Sequence, residues 1–164
     1  MSALRREAHN RMLTAARPHP AFARLVGVPG LGPIRVAQLI AAVCTPHRFR
    51  TKRQFWAYCG LAVVTKSSAD YQQVAGRWVR QARATQTRGL NAQFNHRLKA
   101  VFKSAVLEAL KDETLKRYYE RLRERGLRAE LARVQVARKL AAVTLAVWKR
   151  EAAYDAEQVM QRAA

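Results

Sequence analysis

Ser67 and Ser68 stand side by side, and Asp70 follows two residues after the second. Between Ala8 and Leu107 that aspartate is the only acid, against sixteen lysines and arginines. A serine hydroxyl is a weak nucleophile; a strongly positive surround favours its alkoxide character and steadies the charge on a phosphoryl group under attack. The same field would also grip a phosphate without any chemistry. An ordinary polar turn fits the four residues as well, and spacing alone does not separate these readings.

A second constellation is Val28-Pro29-Gly30-Leu31-Gly32-Pro33. Residues 21–28 suffice for two helical turns. Pro33 suits the first position of a helix running to about Cys44, with Ile34, Ala37, Leu39, Ile40 and Val43 on its inner side. Helix, Gly-x-Gly turn, helix is the helix-hairpin-helix pattern. Gly30 and Gly32 would let backbone approach a phosphate, and the second helix would offer N–H groups and its positive dipole end. A plain glycine turn between packed helices is the competing reading. On the first, bulkier residues at both glycines weaken DNA binding without unfolding the chain. Thr51 and Gln54 then form a capping box for a short helix whose inner face is Phe55, Tyr58 and Cys59. Lys52 and Arg53 fall in its first turn, where the helix dipole disfavours cations, so a bound phosphate would relieve them.

The elements that must position these residues are mostly helical. Ser2–Arg17 reads as a basic amphipathic helix, broken by Pro18-His19-Pro20. Stretches 62–66 and 72–80 are rich in β-branched and aromatic residues and read as two or three short strands, with Ala75-Gly76 as a turn. Residues 83–89 read as a basic loop. A helix follows from about Asn91 to Lys111, with Leu98, Val101, Phe102, Ala105, Val106 and Ala109 inward. Asp112 caps the next helix, which buries Leu115, Tyr118, Tyr119 and Leu122 and ends at Gly126. The last helix, about Arg128 through Glu157, carries the stripe Leu131, Val134, Ala137, Leu140, Ala141, Thr144, Leu145, Trp148, which suits a monomer core or a dimer interface. The expected fold is mainly α, a helix-hairpin-helix-containing domain with a small β-hairpin insertion and long C-terminal helices. Its parts are a basic helix and linker at 1–20, a main domain at 21–150 and a helical tail at 151–164.

A net charge of +20 and a pI near 11.4 point to a polyanionic partner. The charge is uneven: residues 108–164 hold nine of the eleven acids, so the earlier part is the expected nucleic-acid surface and the later part helices laced with ion pairs. A hydrophobic content of 49% excludes a solvating disordered chain. Cys44 and Cys59 have no metal-ligand spacing, with His47 the only histidine near them, so no metal site is expected. Both thiols are expected reduced and packed. The first ten residues lack an apolar signal region, and no run of about 18 apolar residues could span a bilayer. The expected location is the bacterial cytoplasm, in association with the nucleoid.

Five segments in order carry a resemblance: Val28–Pro33, Pro46-His47-Arg48-Phe49, Tyr58-Cys59-Gly60-Leu61, Ser67-Ser68 and Val136-Ala137-Arg138-Lys139-Leu140. Over roughly Ala21 to Arg150 the chain resembles the C-terminal, serine-bearing domain of the IS one-ten insertion-sequence transposases, which include the Piv-type DNA invertases. The resemblance implies a DNA recombinase guided by a structured RNA. Its serine attacks a DNA phosphodiester and holds the strand as a phosphoserine. The family serine precedes a glycine; Ser68 is the match, with Ala69 in the glycine's place and Ser67 as the alternative. Gly76 and Gly89-Leu90-Asn91 correspond to glycine and Gly-Asn positions downstream. Lys66, Arg77, Arg80 and Arg88 are candidate phosphate contacts or solvated charges. The resemblance implies no cofactor in this chain: Mg2+ belongs to a RuvC-like acidic domain, for which these residues leave no room. A separated domain, a truncated product or a subunit would each explain that, with DNA, guide RNA, a RuvC-like partner and further copies of the chain as partners.

Overall fold

The computed structural model describes residues 3–66, 71–80, 86–90 and 93–156. Seven α-helices and four short strands lie among them, in the order α1 Ala3–Ala16, α2 Phe22–Val26, α3 Pro33–Val43, α4 Lys52–Tyr58, β1 Val63–Lys66, β2 Tyr71–Val74, β3 Arg77–Arg80, β4 Gln86–Leu90, α5 His96–Ala109, α6 Glu113–Glu124 and α7 Ala129–Arg150. The expectation of a mainly helical domain is met.

α7 is the central member. Ala132, Val136, Ala137, Leu140, Ala141, Thr144, Leu145, Val147 and Trp148 are buried along it, and α2, α4, α5 and α6 pack around it. The stripe read from the sequence is therefore used inside the chain's own core. Leu131, 56% exposed, and Val134, only half-buried, are the exceptions at its start. Thr144 is tolerated at full burial because its Oγ1 donates to the Leu140 carbonyl at 2.8 Å, which leaves no orphaned polar group. Against α7 sits α5, whose expected face is buried at all six positions. Phe102 on α5 meets Phe55 on α4 edge-to-face at 5.9 Å, and Phe55 meets Phe49 at 5.0 Å, so an aromatic chain joins the two halves of the core.

Local chemistry sets the helix ends. Thr51 and Gln54 close the capping box of α4. Asn95 accepts from Leu98 N at 3.1 Å and so starts α5 later than Asn91; its own N–H donates to the Tyr58 carbonyl at 2.9 Å, tying α5 to the end of α4. Asp112 caps α6 through Leu115 N at 3.0 Å. α7 stops at Glu151, which adopts the left-handed conformation with φ 52. Residues 152–155 are not helical, so the tail does not simply prolong α7 as expected, and everything beyond Ala156 lies outside the described residues.

The strands form two antiparallel pairs, β1–β4 and β2–β3. In β2–β3, Val74 faces Arg77 across the two-residue turn Ala75-Gly76. Both turn residues have positive φ, 50 and 77, the backbone that matches strand twist in a tight hairpin. β4 corrects the expectation of a basic loop. Thr87 pairs with Thr65 and Gln86 with Lys66, partners about twenty residues upstream that a local reading of a polar segment does not supply.

The two thiols differ, against the expectation that both are packed. Cys59 is fully buried, and burial pushes its thiol well above the ordinary range, whereas Cys44 is exposed at the end of α3. Only the thiolate is reactive. A maleimide titration of the native protein is expected to modify one thiol per chain, assigned to Cys44 by mass spectrometry, and two after denaturation. Rapid modification of both in the native state would contradict the burial of Cys59.

Candidate nucleic-acid interface

The glycine turn between α2 and α3 has two different faces. Gly30 has φ +79, and a Cβ there would lie 2.4 Å from the Ala105 carbonyl oxygen and 2.9 Å from the Ala109 Cβ, so α5 fills the space beside it. Arg35 fastens the same turn: its guanidinium donates to the Gly30 carbonyl at 3.1 Å and to the Ser104 Oγ at 3.1 Å. Gly32 is different. It is the N-cap of α3, in an extended conformation with φ −67 and ψ 166, and a Cβ there meets nothing within 4 Å. The first intrahelical bond runs from Val36 N to Gly32 O at 3.0 Å, and Pro33 has no N–H, which leaves those of Ile34 and Arg35 ahead of the ladder at this end.

The other predicted residues fall in two places. Lys52 and Arg53 are exposed on the first turn of α4. Lys66 is on β1 opposite Gln86, and Arg88 is on β4 of the same ladder. Arg77 and Arg80 are on β3, paired with Val74 and Tyr71. Beside Arg77, Trp78 is 68% exposed, an aromatic that the sequence reading did not single out. Ser67, Ser68 and Asp70 lie outside the described residues, in the connection between the two strand pairs. The frame leading into them is described: Leu61 is buried, Leu61 N and Ala62 N both donate to the Trp56 carbonyl at 2.8 and 3.2 Å, and Arg138 Nε donates to the Leu61 carbonyl at 2.5 Å.

That arginine belongs to a feature missed in the sequence. A groove of about 590 Å³ is lined by Arg50, Lys52, Trp56, Tyr118, Arg138 and Lys139, with Lys149 and Arg150 further along α7. Six cations thus meet one acid, Asp155. Burial, then the neighbouring Lys52 and Arg121, hold the Lys139 ammonium below its usual pKa, and burial does the same to the Arg138 guanidinium. Lys52 Nζ lies 5.7 Å from the Trp56 ring centre and Lys139 Nζ 5.8 Å from that of Tyr118, so ring faces partly compensate the crowding. Trp56 is fixed by its Nε1 donating to the Arg138 carbonyl at 2.9 Å. The signal was present in the sequence: Arg138, Ala142, Leu145, Ala146 and Lys149 recur at helical spacing, basic at the ends and mostly small between.

The model of the transposase IS116/IS110/IS902 family matches residues 23–120, more than half of the chain. The chain belongs to that family. It is therefore an insertion-sequence transposase chain, and DNA is the partner that the family implies. The matched segment of this IS116/IS110/IS902 transposase runs from α2 through most of α6 and includes Ser67 and Ser68, whereas the α7 wall of the basic groove lies beyond it. A comparison with curated proteins returns no match. Among the described residues of the transposase, no three His, Cys, Asp or Glu side chains gather as metal ligands, and no helix is long and apolar enough to cross a membrane.

Proposed function

We propose that the chain is the DNA-binding and strand-joining domain of its transposase, with Ser68 as nucleophile and Ser67 as the alternative. The family match across the serine pair carries this reading. In the proposed step the serine Oγ gives up its proton and bonds to a backbone phosphorus, the bond from phosphorus to the leaving deoxyribose oxygen breaks, and that oxygen takes a proton. The strand is then held as a phosphoserine diester and rejoined by the reverse attack of another strand's hydroxyl. Lys66, Arg77, Arg80 and Arg88 stand on the two strand pairs that flank the serines in the chain, and cations there offset charge on the phosphoryl group in transit.

The described residues do not fit a Mg2+ site, and no step here is routed through one. The reading assigns metal chemistry to a RuvC-like partner domain, which with a structured guide RNA and a second copy of the chain completes the assembly at the nucleoid. The helix-hairpin-helix reading of α2–α3 belongs to the proposal as well, resting on Gly32 at an open helix start. It also supports the second reading, a nucleic-acid-binding module without catalysis. Reconstitution separates the two. Incubated with a RuvC-like domain of the family, its guide RNA and target DNA, the chain is expected to yield nicked DNA covalently linked to protein, visible as a protease-sensitive band shift in denaturing gels. Retention of DNA without any covalent species leaves the binding module.

A further inference from the structure

We propose that the groove between α4, α6 and α7 is a seat for a run of polynucleotide phosphodiesters, with Lys52 and Lys139 reaching it from two different helices. The inference rests on the reading that the partner is a nucleic acid, and it names where the backbone lies. Three observations carry it. The lining sets six cations against a single acid, which fits a polyanion. The cations are also spread along a line: from Arg138 to Arg150 the α7 axis advances about 18 Å, the axial length of about five nucleotide steps. A single phosphate would leave most of them uncompensated. Finally, the small side chains Ala142 and Ala146 lie between the basic ends, where a bulky backbone needs room.

The ion pairs Arg11–Glu7, Arg24–Glu151 and Lys111–Glu108 neutralise charge elsewhere on the surface. In the groove, burial and then the neighbouring Lys52 and Arg121 disfavour the charged form of Lys139, and an incoming phosphate offsets that cost. Lys149 donates to the Phe49 carbonyl, so it doubles as a strut between α7 and the segment before α4. Arg138 does the same at Leu61. Lys52 and Lys139 are the pair to change.

The test is a set of anisotropy titrations on the full chain with labelled duplex DNA, single-stranded DNA and a hairpin RNA, over a range of salt. Lys52→Gln/Lys139→Gln is expected to weaken at least one of the three on the order of tenfold and to reduce the magnitude of the salt slope by about 1.8 on a duplex, or about 1.4 on a single strand, for two lost phosphate contacts. The arm that loses affinity identifies the strand seated there. Arg5→Gln/Arg6→Gln, on exposed α1, removes the same charge elsewhere and is expected to cost less. Equal losses in the two double variants, or none in the first, would overturn the groove while leaving nucleic-acid binding intact. Failure of the unmodified chain to bind any of the three at low salt would sink the nucleic-acid reading itself. Acylation footprinting of the unmodified protein makes the result independent of how the variant folds: bound nucleic acid is expected to protect Lys52 and Lys139, and undiminished labelling of both overturns the seat.

Discussion

Ser68→Ala is expected to abolish strand cleavage by the reconstituted transposase, lowering the rate on the order of 10³-fold or more, as removal of a covalent nucleophile does. Duplex affinity should move less than about twofold, because a neutral hydroxyl contributes nothing to counterion release. Ser67→Ala should leave both quantities near those of the parent chain. The asymmetry is what makes the test sharp. A merely structural serine turn would lose cleavage and binding together, or neither. Loss confined to Ser67→Ala would move the nucleophile one residue back, and full cleavage by both variants would reduce the domain to a binding module. The surroundings favour an effect on rate alone. The Arg138 side chain and the Trp56 carbonyl pin the Leu61-Ala62 backbone that leads into β1, so the approach to the serine segment is anchored by residues that neither variant changes. The covalent protein–DNA species, measured directly, is the decisive readout, since it vanishes with the nucleophile whatever happens to affinity.

What the sequence disclosed and what it hid divide along one physical line. Thr51 with Gln54, Asp112 and the Ala75-Gly76 turn are local devices whose partners sit within four residues, and each was readable before folding. The buried face of α5 was equally legible, because periodicity alone specifies it. β4 was not: its partner strand lies across the serine segment, and nothing in Gln86-Thr87-Arg88-Gly89-Leu90 announces pairing. The end of α7 was missed for a related reason, since Glu151 takes a left-handed conformation where no glycine or proline marks the stop. The groove hid in another way. Arg138 and Lys139 had drawn notice only as part of the family-like Val136–Leu140 segment. They become one wall of a basic cleft when α4 brings Lys52 and Trp56, and α6 brings Tyr118, against α7. The charge asymmetry along the chain did not point to it either, because four of the six groove cations come from α7, within the part read as laced with ion pairs.

The glycine turn offers the other large effect, and it separates packing from phosphate binding. Gly30→Ala is expected to destabilise the fold by about 3–5 kcal/mol, from a non-glycine residue forced to positive φ together with overpacking against α5. The nearest obstacle is the Ala105 carbonyl oxygen at 2.4 Å, a backbone atom that cannot swing aside. With 2–4 °C lost per kcal/mol in a chain of this size, the melting temperature should fall by roughly 6–20 °C. The expectation that both glycines could be enlarged without unfolding therefore meets a steric obstacle at Gly30, and only Gly32 has the space for it. Gly32→Ala has an ordinary backbone and open space to occupy, so its stability should stay within about 1 kcal/mol of the parent chain or rise slightly. That leaves Gly32→Ala as a clean probe of the α3 start. If a phosphate approaches the N–H groups there, the added methyl group holds it away and duplex affinity drops while the melting temperature stays put. If affinity is unchanged, the turn exists to bring α2, α3 and α5 together, and the helix-hairpin-helix reading of this segment falls.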